Sequence, residues 1–177
     1  TEQDTRHFSR FSKLPCFDPS SAQEAYEMIQ EAFEYSEKYG TPVFLRPTTR
    51  VCHGYASIMV KDETEYTHHQ PEGFIKDSKR WVIFPRLSFM NHKKIEARNQ
   101  ELSDIFSSYE KNTIHPSCDA FKNSKKGIAT GGISYTYTME TLKKTGMVKT
   151  LKIATPHPFP EKLAVDFLSG LDEVLCL

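Results

Sequence analysis

Apolar and polar residues alternate along the chain with two periods, and each period predicts a kind of element. Phe8 and Phe11, three apart in the polar stretch 1–13, predict a short helix that Pro15 ends. Leu14–Phe17 is a brief apolar run and predicts a strand. Ser21-Ala-Gln-Glu24 then fits a capping box, in which the Ser hydroxyl and the Glu carboxylate take up free backbone N–H groups at a helix start. Ala22, Ala25/Tyr26, Ile29 and Ala32/Phe33 follow at helical spacing, and Gly40 is a natural stop. Thr41–Arg46 is β-prone, so strand, helix and strand in succession predict a parallel α/β unit.

Residues 61–78 are charged and broken by Pro71-Glu-Gly73, which reads as an excursion or linker. After the compact run Trp81–Phe84, Ile95, Leu102, Ile105/Phe106 and Tyr109 share one face of an amphipathic helix over 87–109. Ile114–Ser124, with Pro116, reads as a loop. The tail alternates: strand Gly127–Thr130, helix Ile133–Thr145, strand Val148–Ile153, helix Pro160–Leu168 with Pro in its first turn, strand Asp172–Leu177. Residues 133–145 also alternate as a strand would, and the helix ended by Gly146 is preferred because it completes a second parallel unit. The expected fold class is α/β throughout.

The chain has 177 residues, with 23 Lys+Arg against 23 Asp+Glu. Such a length allows one domain or two small ones with a real core. Zero net charge leaves no electrostatic case for nucleic acid or an anionic membrane, because either would want a basic surplus. No apolar run nears the roughly 20 residues of a membrane span, so the expected setting is cytoplasmic. Cys16, Cys52, Cys118 and Cys176 are 36, 66 and 58 residues apart, without a Cys-x-x-Cys pair. That spacing signals neither zinc nor an iron–sulfur cluster, and predicts reduced, mostly buried thiols.

In parallel α/β sheets ligands gather beyond the carboxyl ends of the strands. This singles out Arg46-Pro-Thr-Thr-Arg-Val-Cys-His53, two arginines, two hydroxyls and an imidazole after a strand, a set suited to an anion. Ordinary loop hydrogen bonding is the plainer reading. Gly131-Gly132 resembles a phosphate-cradling turn but lacks the P-loop and Rossmann spacings, which favours a tight turn without a ligand. His68-His69 has no partner at ligand spacing, and His157 lies in a loop stiffened by three prolines.

Several blocks, found in order, resemble the α subunit of indolepyruvate ferredoxin oxidoreductases. They are Glu2–Arg6, Leu14–Ser20, Gln23–Ala25, Gly40–His53, Gly127–Tyr135, Leu151–Leu163 and Leu171–Leu175; residues 61–124 match only in general character. The resemblance implies a thiamine-diphosphate enzyme that decarboxylates aryl 2-oxoacids with coenzyme A and reduces ferredoxin through iron–sulfur clusters. It implies an internal fragment: 1–60 closing a pyrimidine-binding domain, 61–124 a linker or excursion, and 125–177 opening a transketolase C-terminal-like domain. The catalytic glutamate, the diphosphate and magnesium site and the cluster cysteines would then lie outside the chain. It would hold no catalytic residue, metal ligand or cofactor by itself, and be inactive alone. Its partners would be the rest of the α subunit, a smaller β subunit and ferredoxin.

Thr49, Arg50 and His53 fall in the segment resembling the family's cleft-facing loop, and Gln3 and Asp4 follow another. Cys52 stands where the family usually has Ser. Two alternatives stay open. One is a free-standing α/β domain using Arg46, Arg50 and Gly131-Gly132 to hold an anion or a partner subunit. The other is a pyruvate or branched-chain 2-oxoacid oxidoreductase subunit.

Overall fold

A computed structural model describes residues 3–66, 68 and 70–177. Glu2 of the first cleft-loop stretch and His69 of the histidine pair lie outside the described residues.

Helix α1 (Thr5–Ser12) is capped by Asp4, whose carboxylate accepts the Arg6 N–H, and ends where Lys13 turns left-handed. Strand β1 (Cys16–Phe17) leads into helix α2 (Ala22–Tyr39), then strand β2 (Phe44–Leu45). β1 and β2 pair in parallel, Cys16 against Phe44 and Phe17 against Leu45, as the strand–helix–strand order requires. Half of the expected capping box is present: the Ser21 hydroxyl accepts the Glu24 N–H. The Glu24 carboxylate turns instead to the N–H and hydroxyl of Ser20, at 2.6 and 2.7 Å.

The inward face of α2 differs from the expected one. Glu24, Met28 and Ala32 are buried, whereas Ile29 is 40% and Phe33 67% exposed. Helical spacing is blind to which of two adjacent semi-apolar stripes meets the core, and the aromatic shell around Phe17 takes the Met28 side. Tyr35, Phe106 and Tyr109 meet the Phe17 ring edge-on at 5.4–5.8 Å.

Past the short helix α3 (Thr49–Cys52), the chain runs irregularly over the outer side of α2 before helices α4 (Ser78–Trp81) and α5 (Pro85–Ser107). Only the second half of α5 is buried, through Leu102, Ser103 and Phe106. Strands β3 (Thr113–His115), β4 (Lys126–Gly131), β5 (Lys149–Ile153) and β6 (Glu173–Cys176) form a sheet in the order β3-β5-β4-β6. Helix α6 (Gly132–Thr145) joins β4 to β5, and α7 (Glu161–Leu168) joins β5 to β6. β4 is parallel to both β5 and β6, as expected. β3, expected as a loop, is an antiparallel edge strand on β5, so the sheet is mixed. Three residues ahead of a proline carry too little periodicity to be read as a strand, and pairing with β5 orders them.

The larger apolar cluster (Phe17, Met28, Ala32, Leu102, Phe106, Ala154) draws on the beginning, middle and end of the chain. A smaller one (Leu151, Ala164, Phe167) packs α7 on the four-stranded sheet. The sheets are joined where Cys16 N–H donates to His157 O at 2.7 Å and Asp18 N–H to Ala154 O at 2.8 Å. All four cysteines are free, as expected, but only Cys16 is buried; Cys52 and Cys176 are exposed and Cys118 intermediate. The expectation of mostly buried thiols fails because three of the four sit on a short surface helix, a surface loop and an edge strand.

Candidate functional site

Parallel pairing of β1 with β2 brings the residues after each strand side by side. Asp18 follows β1 and Arg46 follows β2, so the Arg46 guanidinium donates to both oxygens of Asp18, at 3.2 and 3.1 Å. Its other terminal nitrogen lies 3.7 Å from Asp4. Asp4 is in turn gripped by Arg6 through Nε at 2.9 and 3.0 Å and a terminal nitrogen at 2.7 Å.

These partners set the charges. The Arg6 hydrogen bonds hold the Asp4 carboxyl well below the usual carboxylate range. Asp18 is 2% exposed, and burial pushes its carboxyl up, opposed by Arg46. Burial also pushes the neighbouring Cys16 thiol up to about 12, so it is no thiolate nucleophile near neutral pH.

The Gly131-Gly132 turn opens α6 against this cluster. A Cβ on Gly131 would fall 2.5 Å from the Ile153 carbonyl oxygen, and one on Gly132, at φ +50°, would fall 3.0 and 3.1 Å from the two Asp18 oxygens. The glycines thus admit a protein carboxylate at the helix N-terminus, where the macrodipole favours negative charge. A phosphate would meet Asp18 there, and Arg46 is already engaged. Among the described residues no group of three or more His, Cys, Asp or Glu could hold a metal ion. The turn is thus faced by a protein carboxylate, and of the set Arg46, Arg50 and Gly131-Gly132 the structure engages Arg46 with Asp18 and leaves Arg50 exposed.

A second buried ion pair crosses between the sheets. Lys152 on β5 donates to Glu24 on α2, and both residues are 8% exposed. Lys152 also lies 4.7 Å from the centre of the Tyr135 ring. The Tyr135 hydroxyl and His115 Nε2 are 3.0 Å apart, with the rings stacked. Burial first, and Lys152 second, push the His115 imidazole below its ordinary value. Pattern reading passed over Lys152 because it occupies a polar position of an alternating strand, and the Glu24 signal was absorbed by the capping box.

Of the sequence-derived candidates, the structure joins Asp4 to the charged cluster and leaves Gln3 exposed. Thr49, Arg50 and His53 lie exposed on or just after α3, with the His53 N–H donating to Thr49 O at 2.9 Å. Among the described residues no hydrogen bond or ion pair ties Arg50 or His53 to Gln3 or Asp4. His157 Nε2 is buried without a hydrogen-bond partner among the described residues. Burial, then Arg10 and Lys13, lower its basicity.

No family model matches the chain. Curated proteins do. The chain is 36% identical over 176 residues to "Indolepyruvate oxidoreductase subunit IorA" of Methanothermobacter thermautotrophicus, covering 98% of this chain and 28% of that protein. It is 37% identical over 179 residues to the protein of the same name from Pyrococcus abyssi, covering 98% and 27%. The Archaeoglobus fulgidus protein of that name is 30% identical over 177 residues, again 98% and 27%. The chain thus spans 27–28% of the length of these relatives. Along nearly its whole length, the chain is similar to one internal segment of the proteins named as the IorA subunit of indolepyruvate oxidoreductase.

Proposed function

We propose that the chain serves as part of a 2-oxoacid oxidoreductase subunit that decarboxylates aryl pyruvates, indolepyruvate first among them. The observation that carries this reading is the 36–37% identity over 98% of the chain to proteins named as the IorA subunit of indolepyruvate oxidoreductase. The complete enzyme would use thiamine diphosphate with magnesium, coenzyme A and iron–sulfur clusters, pass electrons to ferredoxin, pair with a smaller β subunit and work in the cytoplasm. Thiamine diphosphate acts as an electron sink for the carbanion left by carbon dioxide loss. This chain's glycine turn is faced by Asp18, so the cofactor would be held by other parts of the enzyme.

In this reading residues 1–60 close a pyrimidine-binding domain, 61–124 form the excursion, and 125–177 open a transketolase C-terminal-like domain. What this chain contributes is a loop and its footing. Asp18 and Arg46 anchor the ends of β1 and β2, and Arg46 reaches Asp4. That arrangement would fix where Gln3, Thr49, Arg50 and His53 project at the carboxyl ends of the strands. Arg50, exposed and always charged, would be the group that meets a 2-oxoacid carboxylate.

The test uses the whole enzyme. Arg50→Ala should raise KM for indolepyruvate about tenfold, the equivalent of a hydrogen bond to a charged group, and leave KM for coenzyme A unchanged. The isolated chain with all cofactors should show no oxoacid-dependent dye reduction. Turnover by the isolated chain, or unchanged KM in Arg50→Ala, would count against this assignment.

A further inference from the structure

We infer that residues 74–84, a basic apolar arm, dock in the acidic apolar groove on the outer side of α2 in a second copy of this chain. The groove, about 460 Å³, is floored by Ile29 and Phe33 and edged by Glu27, Glu34 and Glu37. The chain's own residues 59–66 line only part of α2: Gln23 Nε2 donates to Met59 O at 3.1 Å, and the Lys61 N–H donates to the Tyr26 hydroxyl at 2.9 Å. Phe33 stays 67% exposed beyond them.

The arm has the opposite character. Trp81, Val82, Ile83 and Phe84 are consecutive and 45–67% exposed. Within 74–84, Lys76, Lys79 and Arg80 accompany them against Asp77 alone, whereas the groove is edged by Glu27, Glu34 and Glu37 against Lys61. The arm is also preorganised. Trp81 stacks on Phe74 with ring centres 6.0 Å apart, and its indole N–H donates to Ile75 O at 2.8 Å. Arg80 lies 4.7 Å from the centre of the indole ring. A rigid Trp–Arg cluster is the composition that anchors protein interfaces.

Within one copy, no residue of 74–84 is among those lining the groove, and both surfaces are exposed. A neutral chain that divides its charge this way is complementary to a second copy of itself. A two-fold axis would let each copy seat its arm on the other, closing the assembly. This inference stands apart from the oxidoreductase reading and would survive its failure.

The test uses the 177-residue chain and the Trp81 fluorophore, its single tryptophan. Light scattering should show a concentration-dependent dimer, with Trp81 emission shifting to the blue as it forms. Lys79→Glu/Arg80→Glu and Glu34→Lys/Glu37→Lys should each weaken dimerisation about a hundredfold, roughly 2.7 kcal/mol. An equimolar mixture of the two variants should restore it, because both arm–groove contacts are then complementary. In the unaltered protein, carbodiimide should link Glu34 or Glu37 to Lys76 or Lys79 between isotopically distinct copies. A monomer with constant emission, a dimer indifferent to charge reversal, or cross-links confined to one copy would overturn the inference.

Discussion

Glu24 and Lys152 set the sharpest single-residue expectation. Each is buried and each neutralises the other, so removing one strands a charge. Lys152→Met should destabilise the chain by about 3–5 kcal/mol, and Glu24→Gln/Lys152→Met should recover most of that, since a buried pair replaced as a unit is often near neutral. Thermal unfolding of the three proteins checks this; equal losses in single and double variants would refute it. Asp4 works through acid titration. Its folded-state carboxyl is depressed by Arg6, so its stabilisation is present above the unfolded value of 3.8 and is lost as pH falls through the lower folded one. Asp4→Asn keeps a good N-cap and should flatten the stability curve below pH 4. His115 is depressed too, by burial and Lys152. Its contribution is full above its unfolded value of 6.5 and declines as pH falls through the lower folded one, so His115→Gln should lessen the loss of melting temperature as pH falls below 6.5.

At the scale of elements, the β4–α6 turn depends on both its glycines. Gly132→Ala sets a methyl against the Asp18 oxygens at a left-handed φ and should cost about 1–3 kcal/mol. A denaturant midpoint unchanged from the parent would show that the turn relaxes freely. Periodicity recovered most elements, because β1–α2–β2 and β4–α6–β5–α7–β6 obey the parallel order that short connections impose. It missed β3, which is ordered by its partner β5, and it chose the wrong stripe of α2. In both cases the deciding contact is long-range. Local pattern records that a stretch can be buried, and the neighbour decides whether it is.

For the whole molecule, Phe17 is the point where beginning, middle and end converge. Fully buried and ringed by Tyr35, Phe106 and Tyr109, it should cost about 3–5 kcal/mol as Phe17→Ala. The loss should appear as one cooperative transition by near- and far-ultraviolet circular dichroism; two separated transitions would mean that the sheets unfold independently. Among the described residues no helix is long and apolar enough to cross a membrane.

Residue order by itself determined the α/β class, the parallel units and, through ordered blocks such as Gly40–His53 and Thr155–Pro160, the likeness to a segment of the IorA proteins. These are local quantities: spacing of apolar residues, caps, turns and runs of identity. Only the tertiary structure decided that Asp18 faces the glycine turn, that Arg46 serves two aspartates, and that Glu24 answers a lysine 128 positions away. Each depends on side chains brought together by the pairing of strands. Charge partners distant in sequence leave no periodic trace, so their meeting becomes visible only once the chain has closed upon itself.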